Sequence, residues 1–106
     1  MTLNSRRKGA VGEREFITDY LAPFWPDACR NLYQFGADKN DVARVAGVHW
    51  QIKRTENLRL WAAIKQAETE ATGGDLPVVA FRRNRSRWYC ILDAHELVAL
   101  LRLREP

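Results

Sequence analysis

From residue 7 to residue 21, Phe16, Ile17, Tyr20 and Leu21 recur at helical spacing, and Pro23 and Pro26 stop the pattern. The periodicity predicts a first helix over 7–21. Residues 30–35 read as a short strand. After a turn-rich stretch, 36–40, come two strand-like runs, 41–46 and 48–55, separated by Gly47 and close enough to form a hairpin. With 30–35 they predict a three-stranded antiparallel unit. Asn57 is placed to cap a second helix running to about Thr72, with Leu60, Trp61, Ile64, Ala67 and Ala71 on one face and Gly73-Gly74 ending it. Leu76–Arg82 and 88–92 are the next two strands. Their short polar connection, 83–87, suits a hairpin, and a parallel placement beside the earlier strands is also open. Asp93 is placed to cap a last helix carrying Leu97, Val98, Leu100, Leu101 and Leu103. The expected order is α-β-β-β-α-β-β-α, an α/β chain with a central mixed sheet flanked by helices.

Within this pattern one acid stands on an apolar stripe. Glu13 lies three, four and seven residues before Phe16, Ile17 and Tyr20, so all four project from one side of the helix. Glu15 falls on the opposite side and reads as an ordinary solvent-facing charge. A carboxylate turned inward is costly unless a cation, a metal or a proton compensates it, and an arginine or lysine nearby would serve. Asp41 heads a strand just after a loop; alone, it is a turn residue. In the run 48–55, alternation puts Val48, Trp50 and Ile52 on one face and His49, Gln51 and Lys53 on the other. For Asp41 to meet Lys53, the hairpin must set 41 opposite 53 and 43 opposite 51. The three-residue connection Ala46-Gly47-Val48 gives that register, whereas a two-residue Ala46-Gly47 turn gives the next one. The first is expected.

At 106 residues, the chain is sized for one domain with one core, and 46% hydrophobic with 28% charged residues is ordinary for a folded globule. No apolar run approaches the roughly 20 residues that span a bilayer, and the first residues lack the apolar stretch of a signal peptide. A cytoplasmic protein is expected. Cys29 and Cys90 are too few for a disulfide framework, and Cys90 sits in an apolar run where burial is the expectation. The net charge is +4, with basic residues gathered in Arg6-Arg7-Lys8 and in Arg82, Arg83, Arg85 and Arg87. That clustering fits a phosphate backbone, although a solvated surface looks the same in sequence.

Glu13 within Lys8-Gly9-x-x-Gly12-Glu13-Arg14-Glu15, then Asn40-Asp41-Val42, then Gln51-Ile52-Lys53, together resemble the PD-(D/E)xK nuclease superfamily. Within it, the likeness is to Holliday-junction-resolvase-like endonucleases, especially small versions encoded by bacteriophages. It covers nearly the whole chain; each motif alone is weak, and their joint order and spacing is the specific part. The resemblance implies a restriction-endonuclease-like core. In it, Glu13, Asp41 and Gln51 surround a Mg²⁺ ion, for which Mn²⁺ would substitute, and Lys53 faces the attacked phosphate. Mg²⁺ takes hard oxygen ligands and commonly only one or two carboxylates. The chain departs from the common pattern at Gln51, whose amide oxygen can ligate but brings no charge, so metal affinity should fall. Gln66 is expected to orient the site, Glu56 is a possible extra acid, and His49 a weak candidate for DNA contact or general-base work.

Arg6, Arg7 and Lys8, with Ser5 beside them, are expected ahead of the first helix, where its N-terminal amides also favour anions. Arg54 and Arg59 flank the catalytic strand and could follow the same phosphate backbone. The expected function is a metal-dependent DNA endonuclease, with branched or junction DNA as substrate, acting as a homodimer in a bacterial or phage-infected cell, with no small-molecule cofactor. A DNA-binding module that kept the fold and lost the chemistry is the alternative, and an RNA-directed nuclease or toxin a third.

Overall fold

A computed structural model describes residues 2–32 and 39–105, the side chains of residues 2–7 excepted. The elements follow the expected order. Helix α1, Thr2–Phe16, continues without a break into a π-helical turn, Ile17–Leu21, closed by the Ala22 N–H on the Ile17 carbonyl at 2.8 Å. It therefore starts five residues earlier than periodicity indicated, because the polar first turns carry no apolar signal. Phe16, Ile17 and Leu21 are buried, while Tyr20 stays partly exposed and stacks on Phe16.

Strands β1, Cys29–Arg30, and β2, Val42–Ala43, form a two-residue antiparallel ladder with Arg30 opposite Val42. Of the rest of the expected strand, Asn31 and Leu32 are not in a strand, and 33–35, with most of the turn after them, lie outside the described residues. Strand β3, Val48–Arg54, helix α2, Leu60–Glu70, and strand β4, Leu76–Arg82, form a crossover unit. In it β3 runs parallel to β4, from Val48 opposite Leu76 to Arg54 opposite Arg82. Strand β5, Tyr89–Ile91, returns antiparallel along β4, giving a three-stranded mixed sheet in the order β3-β4-β5. Pro77 is tolerated in the central strand because β5 reaches only to Val79. Its missing N–H faces a side where no ladder partner stands.

Among the described residues the three-stranded antiparallel unit does not form. Arg44, at φ 68°, and Gly47, at φ 84°, turn the chain away from a regular hairpin. The outer edge of β3 is completed by an Asn-Asp pair instead. Asn40 donates from Nδ2 to the Val48 carbonyl and accepts the Trp50 N–H on Oδ1, both at 2.9 Å. The Asp41 N–H then reaches the Trp50 carbonyl at 3.0 Å, and Asp41 Oδ2 accepts the Ile52 N–H at 2.7 Å. Asp41 thus bonds to Trp50 and Ile52 rather than standing opposite Lys53. The expected register is corrected, and the aspartate still arrives at the edge of β3.

One face of the sheet packs on α1 through Trp50, Ile52, Val78 and Ala80, joined by Phe16, Ile17, Leu21, Val42 and Trp88. Each large apolar side chain there contributes roughly 1.5–3 kcal/mol. The opposite face meets α2 through Val79, Ala63 and Ala67. Small alanines let α2 lie close, and they are its buried face; Leu60 and Trp61, expected on it, are exposed, Trp61 by 77%. Asn57 does not cap this helix, since Arg59 occupies the cap position without a side-chain bond. Gly73 and Gly74, both at positive φ, carry the chain into β4. Helix α3, Ala94–Arg102, is capped as expected, Asp93 accepting from the His95 and Glu96 N–H groups, yet none of its residues is buried. No described helix is long and apolar enough to cross a membrane.

Candidate functional site

Alternation along β3 does what the sequence indicates: Trp50 and Ile52 enter the α1-facing core, and His49, Gln51 and Lys53 face α2. His49 and Gln51 are each 2% exposed, a polar pair inside the sheet-helix layer. Buried polar groups need partners, and α2 supplies them. Lys53 Nζ donates to Gln66 Oε1 at 3.0 Å. Gln51 Nε2 lies 2.7 Å from Glu70 Oε2, 2.9 Å from His49 Nε2 and 3.5 Å from the Lys39 carbonyl. Gln66 Nε2 points in turn at Glu70 Oε1, 3.5 Å away. A continuous polar row therefore runs Lys53, Gln66, Glu70, Gln51, His49. Asp41 stands at its margin, held on the Ile52 N–H.

Glu13 reaches a different partner, Arg30 Nε at 2.7 Å, with both side chains partly exposed. Arg30 pairs across β1–β2 with Val42, the residue after Asp41, so Glu13 abuts the segment that carries the aspartate. The inward-turned acid of α1 is compensated by an arginine. Glu15 is not the free surface charge expected. It accepts from Trp88 Nε1 at 2.8 Å and from Arg82, and its side chain is largely covered. Burial raises its carboxyl, but the Trp88 bond and then Arg82 and Arg54 outweigh that and hold it below the ordinary carboxylate value. Arg30 on one side and Arg82 and Trp88 on the other make both sides of α1 face protein at this level.

The basic residues divide. Arg59 is exposed and lines a groove of about 330 Å³ together with Lys53, Thr55, Leu58 and Gln66. Arg54, by contrast, is 13% exposed and holds Asn84 Oδ1 at 2.6 Å, with Glu56 beside it at 3.7 Å. Glu56 itself accepts the Asn84 N–H, so it anchors the turn before β5 rather than joining the site. Lys8 is partly buried within α1. Arg6 and Arg7 also lie inside that helix, as does Ser5, and not ahead of its N-terminus, so its first amides are not theirs to share. Their side chains lie outside the described part. Cys29 and Cys90 are free and exposed; Cys90 fails to be buried because β5 is an edge strand.

Sequence reasoning quoted Asn40 in a motif without its role on β3, and missed Arg30 and Glu70. Glu70 left a signal, standing four residues after Gln66 on the same helical face. Arg30 left none, being seventeen residues from the acid it pairs with. Among the described residues no three His, Cys, Asp or Glu side chains converge as a metal-binding group. The oxygens along the row are the Glu70 carboxylate and the Gln51 and Gln66 amides, with the Asp41 carboxylate held on the Ile52 N–H. Carboxylate and amide oxygens suit a hard cation that completes its shell with water, while Glu13 is engaged by Arg30. Compared with protein-family models, curated proteins and solved structures, the chain matches none.

Proposed function

We propose that this protein is a metal-dependent DNA endonuclease with a restriction-endonuclease-like core, acting on branched or junction DNA as a homodimer in the cytoplasm. The observation that carries the reading is the arrangement on β3: a lysine held by a helix glutamine, a buried glutamine two residues before it, and an aspartate clamped to the strand edge between them. Asp41 and the Gln51 amide oxygen would hold Mg²⁺ or Mn²⁺, with Glu13 joining on release from Arg30. The ion, when bound, supplies Lewis-acid polarisation of the phosphodiester and a more acidic water.

The chain's own residues do the remaining work. Lys53, its ammonium fixed by Gln66, faces the groove that Arg59 also lines, where a scissile phosphate can accept its hydrogen bond and charge developing on phosphorus is offset. Arg59 draws in the neighbouring phosphate, and Lys8 adds a cation on α1. Arg54 acts by fixing the turn at Asn84. Self-association is supported by the apolar side chains that α3 leaves exposed, among them Leu97, Val98 and Leu101.

A second reading, a DNA-binding protein without catalysis, is favoured by the same neutral Gln51 and by the Arg30 pair on Glu13. One assay separates the two. Purified protein is incubated with plasmid and with synthetic four-way junctions in Mg²⁺ or Mn²⁺, beside Lys53→Ala. Cleavage by the native chain and none by the variant is expected. Binding without cleavage supports the second reading, and cleavage surviving in Lys53→Ala refutes the assignment of the site. RNA substrates run in parallel test the strand chemistry.

A further inference from the structure

A primary amide has two ends of nearly equal shape, and only its oxygen can ligate a cation. Something must therefore decide which end of Gln51 is left to meet a ligand. Glu70, from the last turn of α2, makes that choice. An ionised carboxylate accepts hydrogen bonds and donates none, so the 2.7 Å contact fixes the nitrogen of Gln51 on the Glu70 side. His49 Nε2, at 2.9 Å, then receives the second amide proton as the unprotonated ring nitrogen. The Lys39 carbonyl is a third acceptor near the same nitrogen, at 3.5 Å. With every one of these acceptors gathered about Nε2, Oε1 is turned away from them.

The same carboxylate orders a second amide. Its other oxygen faces Gln66 Nε2 at 3.5 Å, and Gln66, with its nitrogen so engaged, presents its oxygen to Lys53 Nζ at 3.0 Å. Rotating either amide by half a turn would set N–H against ammonium or oxygen against carboxylate. We propose that Glu70 is the positioning residue of this site, its single carboxylate orienting Gln51 to offer an oxygen and Gln66 to hold Lys53. No step of the chemistry passes through it. The orientation stands on hydrogen-bond logic alone, while its consequence for a divalent cation rests on the nuclease reading above.

Swapping the two groups tests this. Glu70→Gln, Gln51→Glu and the double variant Gln51→Glu/Glu70→Gln are compared with the native chain by Mn²⁺ titration calorimetry without DNA, and by junction cleavage. Loss of such an orienting partner is expected to lower Mn²⁺ affinity by roughly ten- to a hundredfold in Glu70→Gln. Gln51→Glu sets two carboxylates against each other and is expected to melt below the double variant, in which an amide again faces a carboxylate and Mn²⁺ affinity returns. Unchanged affinity in Glu70→Gln, or a double variant no better than Glu70→Gln, overturns the proposal. If the native chain neither binds Mn²⁺ nor cuts, the nuclease reading fails by itself, and the orientation is still read from the Gln51 side-chain amide protons by NMR. Those protons are expected to exchange slowly in the native chain and fast in Glu70→Ala. Fast exchange in the native chain, or slow exchange in both, overturns it.

Discussion

Replacing Gly12 with alanine sets two opposed effects against each other, and Gly9, one helical turn earlier, supplies the control. A Cβ built at Gly12 would lie 2.6 Å from Arg54 Cβ and 3.3 Å from its Cγ. Arg54 Cβ is fixed to β3 rather than being the far end of a side chain, so α1 itself must move off the sheet. Forcing a carbon into filled space costs about 1–3 kcal/mol, against a gain of about 1 kcal/mol for alanine over glycine in a helix. At Gly9 nothing lies within 4 Å of the added carbon, so only the gain applies. Gly9→Ala should therefore stabilise by about 1 kcal/mol, and Gly12→Ala should fall about 1–3 kcal/mol below it. In a domain near this size each kcal/mol moves the melting midpoint by roughly 4–8 °C, which scanning calorimetry or thermal circular dichroism resolves. Equal midpoints for the two alanine variants would refute the close approach of α1 to β3 at Arg54.

Asn40→Ala removes the partners of the Val48 carbonyl and the Trp50 N–H, and unfolding in urea should show a loss of about 1–3 kcal/mol. Asp41→Asn keeps an oxygen for the Ile52 N–H while deleting the charge; metal-dependent junction cleavage should fall by about a hundredfold or more with the melting midpoint near the native one, and unchanged cleavage would count against the site. Glu15 titrates lower in the folded chain than its ordinary value of 4.5, so it contributes stability above that pH, lost as pH falls through the lowered folded value. The stability gap between the native chain and Glu15→Gln should be full at neutral pH and shrink below about pH 4.5; a gap independent of pH would contradict the assignment.

The elements with their own periodicity or cap were legible in the sequence. Leu76–Arg82 has the bounds expected of it, and Asp93 caps α3 as its place before an apolar run implied. The polar row of β3 was legible too, because strand alternation fixes which side chains share a face whatever the neighbouring strand does. The partner of β3 was not: parallel pairing with β4 is made across α2, and the apolar pattern of a strand does not name its neighbour. The expected hairpin failed at Asn40 and Asp41, where two side chains perform what a strand backbone ordinarily does. In the site, Gln51 and Lys53 were visible from strand alternation, Gln66 only from the family resemblance, and Glu13 read as an acid needing compensation. Its Arg30 partner depends on how β1 folds back, which no local pattern records. On α2 the larger side chains Leu60 and Trp61 misled, since close packing favours the alanines one turn further on.

The side-chain completion of β3 has a bearing on colloidal behaviour. A strand at the margin of a sheet offers a template to any extended chain it meets, and aggregation commonly starts there. Here the carbonyls of Val48 and Trp50 and the amides of Trp50 and Ile52 are already taken by Asn40 and Asp41. The dipeptide that aims the aspartate also occupies the groups an incoming strand would bond first along this stretch, so protection of the edge and site geometry are inherited through the same two residues.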